Sequence, residues 1–210
     1  MKKGTKKVYI INSNSQYISM FIGRGWEVVD KMEDADLVQF TGGSDVSPHL
    51  YNEEEHPSTQ VDIIRDAQER GLFEVAKALH KPVAGICRGG QFLNVMCGGS
   101  LFQNVNNHAL FGTHVMINVR TGGMMPVTST HHQMMRPGEG AKLLAVASEA
   151  TVCESVLGER VCYHKQARGE DVEVLYYPEH NALCFQPHPE YMEQISECQD
   201  YYFQLLQEKL

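Results

Sequence analysis

Gly85-Ile86-Cys87-Arg88-Gly89-Gly90-Gln91 is the stretch whose reading decides the fold. It follows the apolar run Pro82-Val83-Ala84-Gly85-Ile86 and precedes the helical pattern Phe92-Leu93-Asn94-Val95-Met96. A thiol between two glycines, where a short buried strand turns sharply into a helix, describes a nucleophile elbow. The turn strains the backbone at the nucleophile, and side chains two positions away would collide, so glycine is needed at 85 and 89. The following helix points its N-terminal amides at the sulfur and favours the reactive thiolate. Taken alone, the pattern equally describes a buried structural cysteine beside a glycine-rich turn, because free cysteine is among the most buried residue types. The rest of the chain decides between the two.

Outward from the elbow, short apolar runs alternate with helical periodicity. Val8 to Ile11, Trp26 to Val29, Ala35 to Phe40 and Pro82 to Ile86 read as strands. Gln16 to Gly23 reads as a short helix, and Asp66 to His80 as an amphipathic one with Leu72, Phe73, Ala76 and Leu79 on one face. Strands alternating with helices imply crossover units and a parallel sheet covered on both faces. The second half is richer in strands: His114 to Val119, Val127 to Thr130, Lys142 to Ala147, Val152 to Leu157, Val172 to Tyr177 and Ala182 to Gln186. Tyr177 to Asn181 reads as a hairpin turn. Tyr191 to Leu210 reads as a closing helix that turns Ile195, Cys198, Tyr202, Leu205 and Leu206 inward. The acidic, Pro-containing stretch Asn52 to Gln60 reads as a mobile loop. Ligands of open α/β sheets bind at the carboxyl ends of the strands, so Thr41-Gly42-Gly43, the Cys87 elbow and Gln186-Pro187-His188-Pro189-Glu190 are expected to converge.

Composition limits the possible partners. At 210 residues and 42% apolar content the chain can bury a full core as one domain over residues 1–210. The formal net charge is −8 and the only basic runs are Lys2-Lys3 and Lys6-Lys7, which argues against nucleic acid and anionic membrane. No secretory signal is visible and no stretch approaches the roughly 20 apolar residues of a membrane span, so a cytoplasmic protein is expected. Cys87, Cys97, Cys153, Cys162, Cys184 and Cys198 form no Cys-x-x-Cys pair, which fits reduced thiols. The ten histidines show no four-ligand spacing, and no metal is expected.

A thiolate that attacks an amide needs a histidine to protonate the departing amine, a carboxylate to orient that histidine, and amide donors for the oxyanion. His188 and Glu190 stand two residues apart after a strand, so in an extended segment both project to one side and can touch. Gly43 and Arg88 can offer backbone N–H groups from two separate loops. A lone His-x-Glu is more often an exposed surface pair, but together with the elbow the set describes a nucleophilic amide hydrolase.

With these residues in place, the chain resembles a known family. Gly-Ile-Cys-Arg-Gly-x-Gln at 85–91 followed by Gln-x-His-Pro-Glu at 186–190 is similar to the class I (triad) glutamine amidotransferases. Thr41 to Tyr51, Arg65-Asp66, Gly98 to Gln103 and His131-His132-Gln133 narrow the resemblance to the γ-glutamyl-γ-aminobutyrate hydrolase branch, also called the C26 peptidase-like group. The resemblance implies a flavodoxin-like, three-layer α/β sandwich with a mostly parallel central sheet. It implies Cys87 as nucleophile, His188 as general base and acid, Glu190 as its orienter, and the Gly43 and Arg88 amides as the oxyanion hole. It places Gln91 against a γ-glutamyl substrate and the backbone around His132 and Gln133 along the glutamyl pocket. His131 and His132 also admit a metal reading, but pocket lining is expected, with no metal or organic cofactor.

Several residues depart from the family pattern or stay open. Gly90 stands where the family carries methionine or histidine, which is expected to leave room beside the nucleophile. Pro187 replaces an aromatic residue, which either enlarges the pocket or resets the His188 backbone. The segment before Thr41 is short, so a strand–helix unit is expected to be trimmed. The Arg88 side chain is expected either to pair with a surface carboxylate or to touch substrate. Asp45 and Tyr51 either hold their loop or shape the pocket mouth.

The expected reaction is hydrolysis of the γ-glutamyl amide of glutamine or a γ-glutamyl amine through a γ-glutamyl thioester. Two alternatives remain: a glutaminase subunit delivering ammonia to a separate synthetase, since the chain ends one helix after Glu190, and a catalytically silent binding protein on the same fold.

Overall fold

The computed structural model describes residues 4–106, 108–109, 112–148, 152–154, 160–162, 171–193 and 196–210. The chain begins with β1 (Lys7–Ile10), α1 (Ser15–Gly23), β2 (Glu27–Val28), a 3₁₀ turn at Met32–Asp34 and β3 (Leu37–Phe40). A single turn therefore joins β2 to β3 where a crossover helix would stand, in line with the trimmed unit expected from the sequence. After a 3₁₀ turn at Pro48–Tyr51 come α2 (Ile63–Ala78), β4 (Val83–Ile86) and α3 (Arg88–Met96). Then follow β5 (Ser100–Phe102), β6 (Asn104–Val105), β7 (Thr113–Asn118), β8 (Met124–Thr128), β9 (Met134–Arg136) and β10 (Lys142–Ala147). The last elements are β11 (Val152–Glu154), β12 (Arg160–Cys162), β13 (Val172–Tyr177), β14 (Ala182–Phe185), a 3₁₀ turn at Pro189–Tyr191 and α4 (Glu197–Lys209).

Nine strands form the main sheet in the order β2-β1-β3-β4-β14-β13-β10-β7-β8. The first five run parallel, and β13, β10, β7 and β8 extend the sheet antiparallel. The fold is a three-layer α/β sandwich, as expected: α1 and α4 cover one face of the sheet, α2 and α3 the other. In β14 the side chains alternate faces, Leu183 and Phe185 packing on the α4 side, Ala182 and Cys184 on the α2–α3 side. A strand buried on both faces reads as a continuous apolar run, which is how Ala182 to Phe185 reads.

The hairpin β13–β14 turns through Pro178–His180, as the sequence suggested. Two short ladders were not legible: β5 pairs with β9, and β12-β11-β6 form a separate three-stranded sheet. The expected strand over Val152 to Leu157 is seen as far as Glu154; residues 155–159 and Ile195 lie outside the described residues. Cys198, Tyr202, Leu205 and Leu206 face the core as expected. The helix itself starts six residues later than read, because Ser196 accepts the Gln199 N–H and caps it.

The loop after Asn52 is tied down rather than loose: Gln103 Oε1 accepts from the His56 amide at 2.8 Å and from Thr59 Oγ1 at 3.1 Å. Cys87, Cys97, Cys184 and Cys198 are free thiols. Among the described residues no helix is long and apolar enough to cross a membrane.

Candidate active site

β3, β4 and β14 are parallel neighbours, so the loops at their carboxyl ends meet as expected. Cys87 sits between β4 and α3 with φ +51° and ψ −115°, the strained geometry an elbow requires. Its amide donates to Phe185 O at 2.8 Å, which locks the turn to β14. A Cβ at position 85 would lie 2.2 Å from the Gly89 carbonyl carbon and oxygen, and one at 89 would lie 2.5 Å from Phe40 O. Both glycines are required by backbone contact.

Gly90 corrects an expectation. It opens no space: a Cβ there would stand 2.9 Å from Phe185 N and 3.0 Å from Phe185 O. The missing side chain lets α3 lie directly on β14. Pro187 is buried. The His188 backbone is set by a bond from its amide to Thr128 Oγ1 at 2.7 Å.

His188 Nδ1 lies 2.5 Å from Glu190 Oε1, as the His-x-Glu spacing suggested, but not through an extended segment. Pro189–Tyr191 form a 3₁₀ turn that folds the carboxylate back onto the ring, and Gln199 Nε2 of α4 holds Pro189 O at 3.2 Å. Burial works against charge on His188, but the facing Cys87 thiol and the Glu190 carboxylate outweigh it and raise its pKa.

Two aromatic residues that sequence reasoning missed complete this corner. The Tyr191 ring stacks on the imidazole, centroids 4.6 Å apart and 11° from parallel, an arrangement that favours a protonated ring. Tyr17 on α1 accepts the Gly42 N–H at 2.9 Å, and burial together with the facing Glu190 keeps its hydroxyl protonated. Its only sequence signal was a place in a short helix capped by Asn14, which accepts from the Tyr17 amide at 3.2 Å. Tyr17→Phe is expected to cost about 1 kcal/mol, measured by urea unfolding, because the Gly42 amide loses its acceptor.

Gly43 has φ +150°, and a Cβ there would lie 2.1 Å from Arg65 Nη1. Arg65 in turn donates to Thr41 O at 3.0 Å and to Glu69 Oε1 at 2.7 Å, which fixes the Gly42-Gly43 loop. Arg88 opens α3, whose first turn has no side-chain cap, so its backbone amide lies beside Cys87. The Arg88 side chain meets neither a surface carboxylate nor the pocket. It is buried and paired with Asp66 at 2.5 Å and with Glu69, both on α2.

The expected substrate residues sit along one wall. Gln91 Nε2 donates to Gln133 O and to Gln186 Oε1, each at 3.1 Å, so its amide braces the wall. Gln133 is buried, and neither atom of its side-chain amide has a hydrogen-bond partner among the described residues. His132 is half-buried and paired with Asp45 at 3.0 Å, which raises its pKa. Asp45 also accepts the Gln60 amide at 2.8 Å, so it holds the loop and the pocket rim together. The Tyr51 hydroxyl is buried with no partner among the described residues.

The peptidase C26 family model matches residues 10–190. The chain belongs to the peptidase C26 family. It is 32% identical over 171 residues to the Lactococcus lactis protein named "Putative glutamine amidotransferase-like protein YvdE", covering 67% of this chain and 72% of that protein. It is 34% identical over 140 residues to a Mycobacterium tuberculosis protein named "Putative glutamine amidotransferase Rv2859c", covering 58% of this chain but only 46% of that protein. Among solved structures it is similar to a Thermoplasma acidophilum protein described as a putative subunit of GMP synthase. The TM-score is 0.61 at 14% identity, with 98% of this chain and 100% of that chain covered, which speaks to the fold. As a C26 member the chain is an amide hydrolase of the class I glutamine amidotransferase type.

Proposed function

We propose that this C26 member, acting as one domain over residues 1–210, hydrolyses the γ-glutamyl amide of glutamine or a γ-glutamyl amine with Cys87, His188 and Glu190 as its triad. The observation that carries the reading is Cys87 at φ +51°, facing a histidine whose other nitrogen is 2.5 Å from a carboxylate. The Cys87 thiolate attacks the amide carbon while the Gly43 and Arg88 amides hold the oxyanion. His188 gives its proton to the leaving ammonia or amine. It then takes a proton from the water that cleaves the thioester, releasing glutamate and restoring the Cys87 thiolate beside a protonated His188. Gln133 supplies a buried amide for the glutamyl group, with His132 at the rim and Gln91 behind the wall.

Incubation with glutamine and a panel of γ-glutamyl amines, with released glutamate as readout, tests the reading. No release from any of them contradicts it. The fold likeness to a protein described as part of a synthase favours one second reading, delivery of ammonia to a synthetase partner. A free hydrolase turns over alone, whereas a glutaminase that serves a synthetase is slow until its partner is added. His188→Asn is expected to lower kcat by roughly 10²–10⁴-fold and Glu190→Gln by less, since one residue moves the proton and the other orients the ring. Equal or reversed losses in the same assay would show that the roles are misassigned.

A further inference from the structure

Beside the Gln133 wall lies a buried cluster that the amide chemistry does not use. His108 precedes β7, His114 lies on β7, His131 lies between β8 and β9, and Asp171 and Glu173 stand at the start of β13. The two carboxylate side chains are fully buried, and their ion-pair partners among the described residues are all imidazoles. Two buried anions without a strong counter-charge are costly, and a divalent cation removes that cost.

The imidazole tautomers point to where the cation sits. His131 Nδ1 lies 2.8 Å from Gln133 O, and a carbonyl only accepts, so Nδ1 carries the proton. In the neutral ring His131 Nε2 then presents a lone pair; it is buried without a hydrogen-bond partner among the described residues and faces Glu173 Oε1 at 3.8 Å. A lone pair opposed to a carboxylate oxygen is repulsive unless a proton or a metal cation lies between them. His108 Nε2 is 3.0 Å from Asp171 Oδ2, and its Nδ1 is 3.5 Å from the same Glu173 oxygen. Tetrahedral zinc with 2.0–2.2 Å bonds separates its ligand atoms by about 3.4 Å. Ligand atoms of His108, His131 and Glu173 all lie within 4.8 Å of one another, so small side-chain movements bring three ligands to that spacing, with a solvent oxygen as the fourth.

We propose that His108, His131 and Glu173 form a buried zinc site that fixes the wall carrying Gln133. Asp171 orients His108 through its outer nitrogen, and His114, 2.9 Å from Glu173 Oε1, orients the carboxylate. The site ties three chain segments together: the His131 amide donates to His108 O at 2.8 Å, and the His131 ring holds Gln133 O. The ligands come from distant segments, which is why no spacing in the sequence announced them. The inference does not depend on the amidohydrolase reading.

The test uses wild-type protein stripped with a chelator and titrated with zinc ions against a chromophoric competitor. Uptake of a single equivalent is expected, with cobalt in its place giving the visible absorption of a four-coordinate site. Asp171→Asn and His114→Gln are expected to weaken zinc by roughly 10–100-fold, and His131→Gln by more. Hydrogen exchange in the 129–134 segment should slow when zinc is added to the wild type. Folded wild-type protein that takes up no zinc overturns the proposal, since the cluster is then a proton-sharing network. Uptake that survives unchanged in folded His131→Gln overturns it as well.

Discussion

Cys87→Ala is expected to lower glutamate release by a factor on the order of 10⁵–10⁶, as loss of a covalent nucleophile does elsewhere. The fold should survive, because alanine keeps the Cβ the elbow already accommodates and the Cys87 amide still bonds to Phe185 O. Circular dichroism and the thermal midpoint then match the wild type while activity is gone. A residual rate above about one per cent would mean that another group starts the reaction. The same substitution moves His188. Burial lowers its pKa, and Cys87 and Glu190 raise it, so removing the thiol leaves burial opposed by Glu190 alone and the value falls. Titration of the imidazole by NMR in the two proteins reads that shift directly.

Arg88→Met is expected to cost about 3–5 kcal/mol of stability, a large part of what a domain of this size has. Asp66 and Glu69 would be left as buried carboxylates that have lost the cation between them. Glu69 retains Arg65, at 2.7 Å, and Asn12, at 2.9 Å, whereas Asp66 retains the Ser47 amide at 3.0 Å. Burial already pushes the Asp66 pKa up, against the Ser47 N–H and Arg88, which hold it down. Without Arg88 it rises further and the folded state takes up a proton that the unfolded state releases. A group raised in the folded state loses stability as pH rises, so the deficit is smaller in acid and grows toward neutral pH. Urea midpoints across that range check both the size and the slope. Removing all three charges together with Asp66→Asn and Glu69→Gln should recover much of the loss.

The parallel half of the sheet was legible because each of its strands is a short apolar run bounded by a turn signal. The elbow was legible because glycine at 85 and 89 has a steric reason that a sequence states openly. The ladder of β5 with β9 was not legible: three residues on each strand are too few to show a period. The start of α4 was written in the chain as Ser196-Glu197-Cys198-Gln199, a capping-box pattern, but the apolar periodicity drew the boundary too early. Gly90 was read as missing bulk, whereas backbone fills the space there. Arg88 shows the same limit. A sequence names its charge but not the α2 carboxylates that bury it. Tyr17 and Tyr191 reach His188 and Glu190 from outside every motif, and only the tertiary arrangement of α1 and the 3₁₀ turn brings them there.

The central claim is that Cys87, among the free thiols, is the nucleophile. A chloromethyl ketone analogue of glutamine, incubated with wild-type protein and followed by intact mass and peptide mapping, tests it most directly. One covalent adduct on Cys87 is expected, slowed by excess glutamine and absent in His188→Asn at the same exposure time. Cys97, Cys184 and Cys198 should stay unlabelled, since burial pushes the pKa of each thiol up and keeps it protonated. An adduct on any of those three, or labelling of Cys87 that glutamine does not slow, would contradict the account.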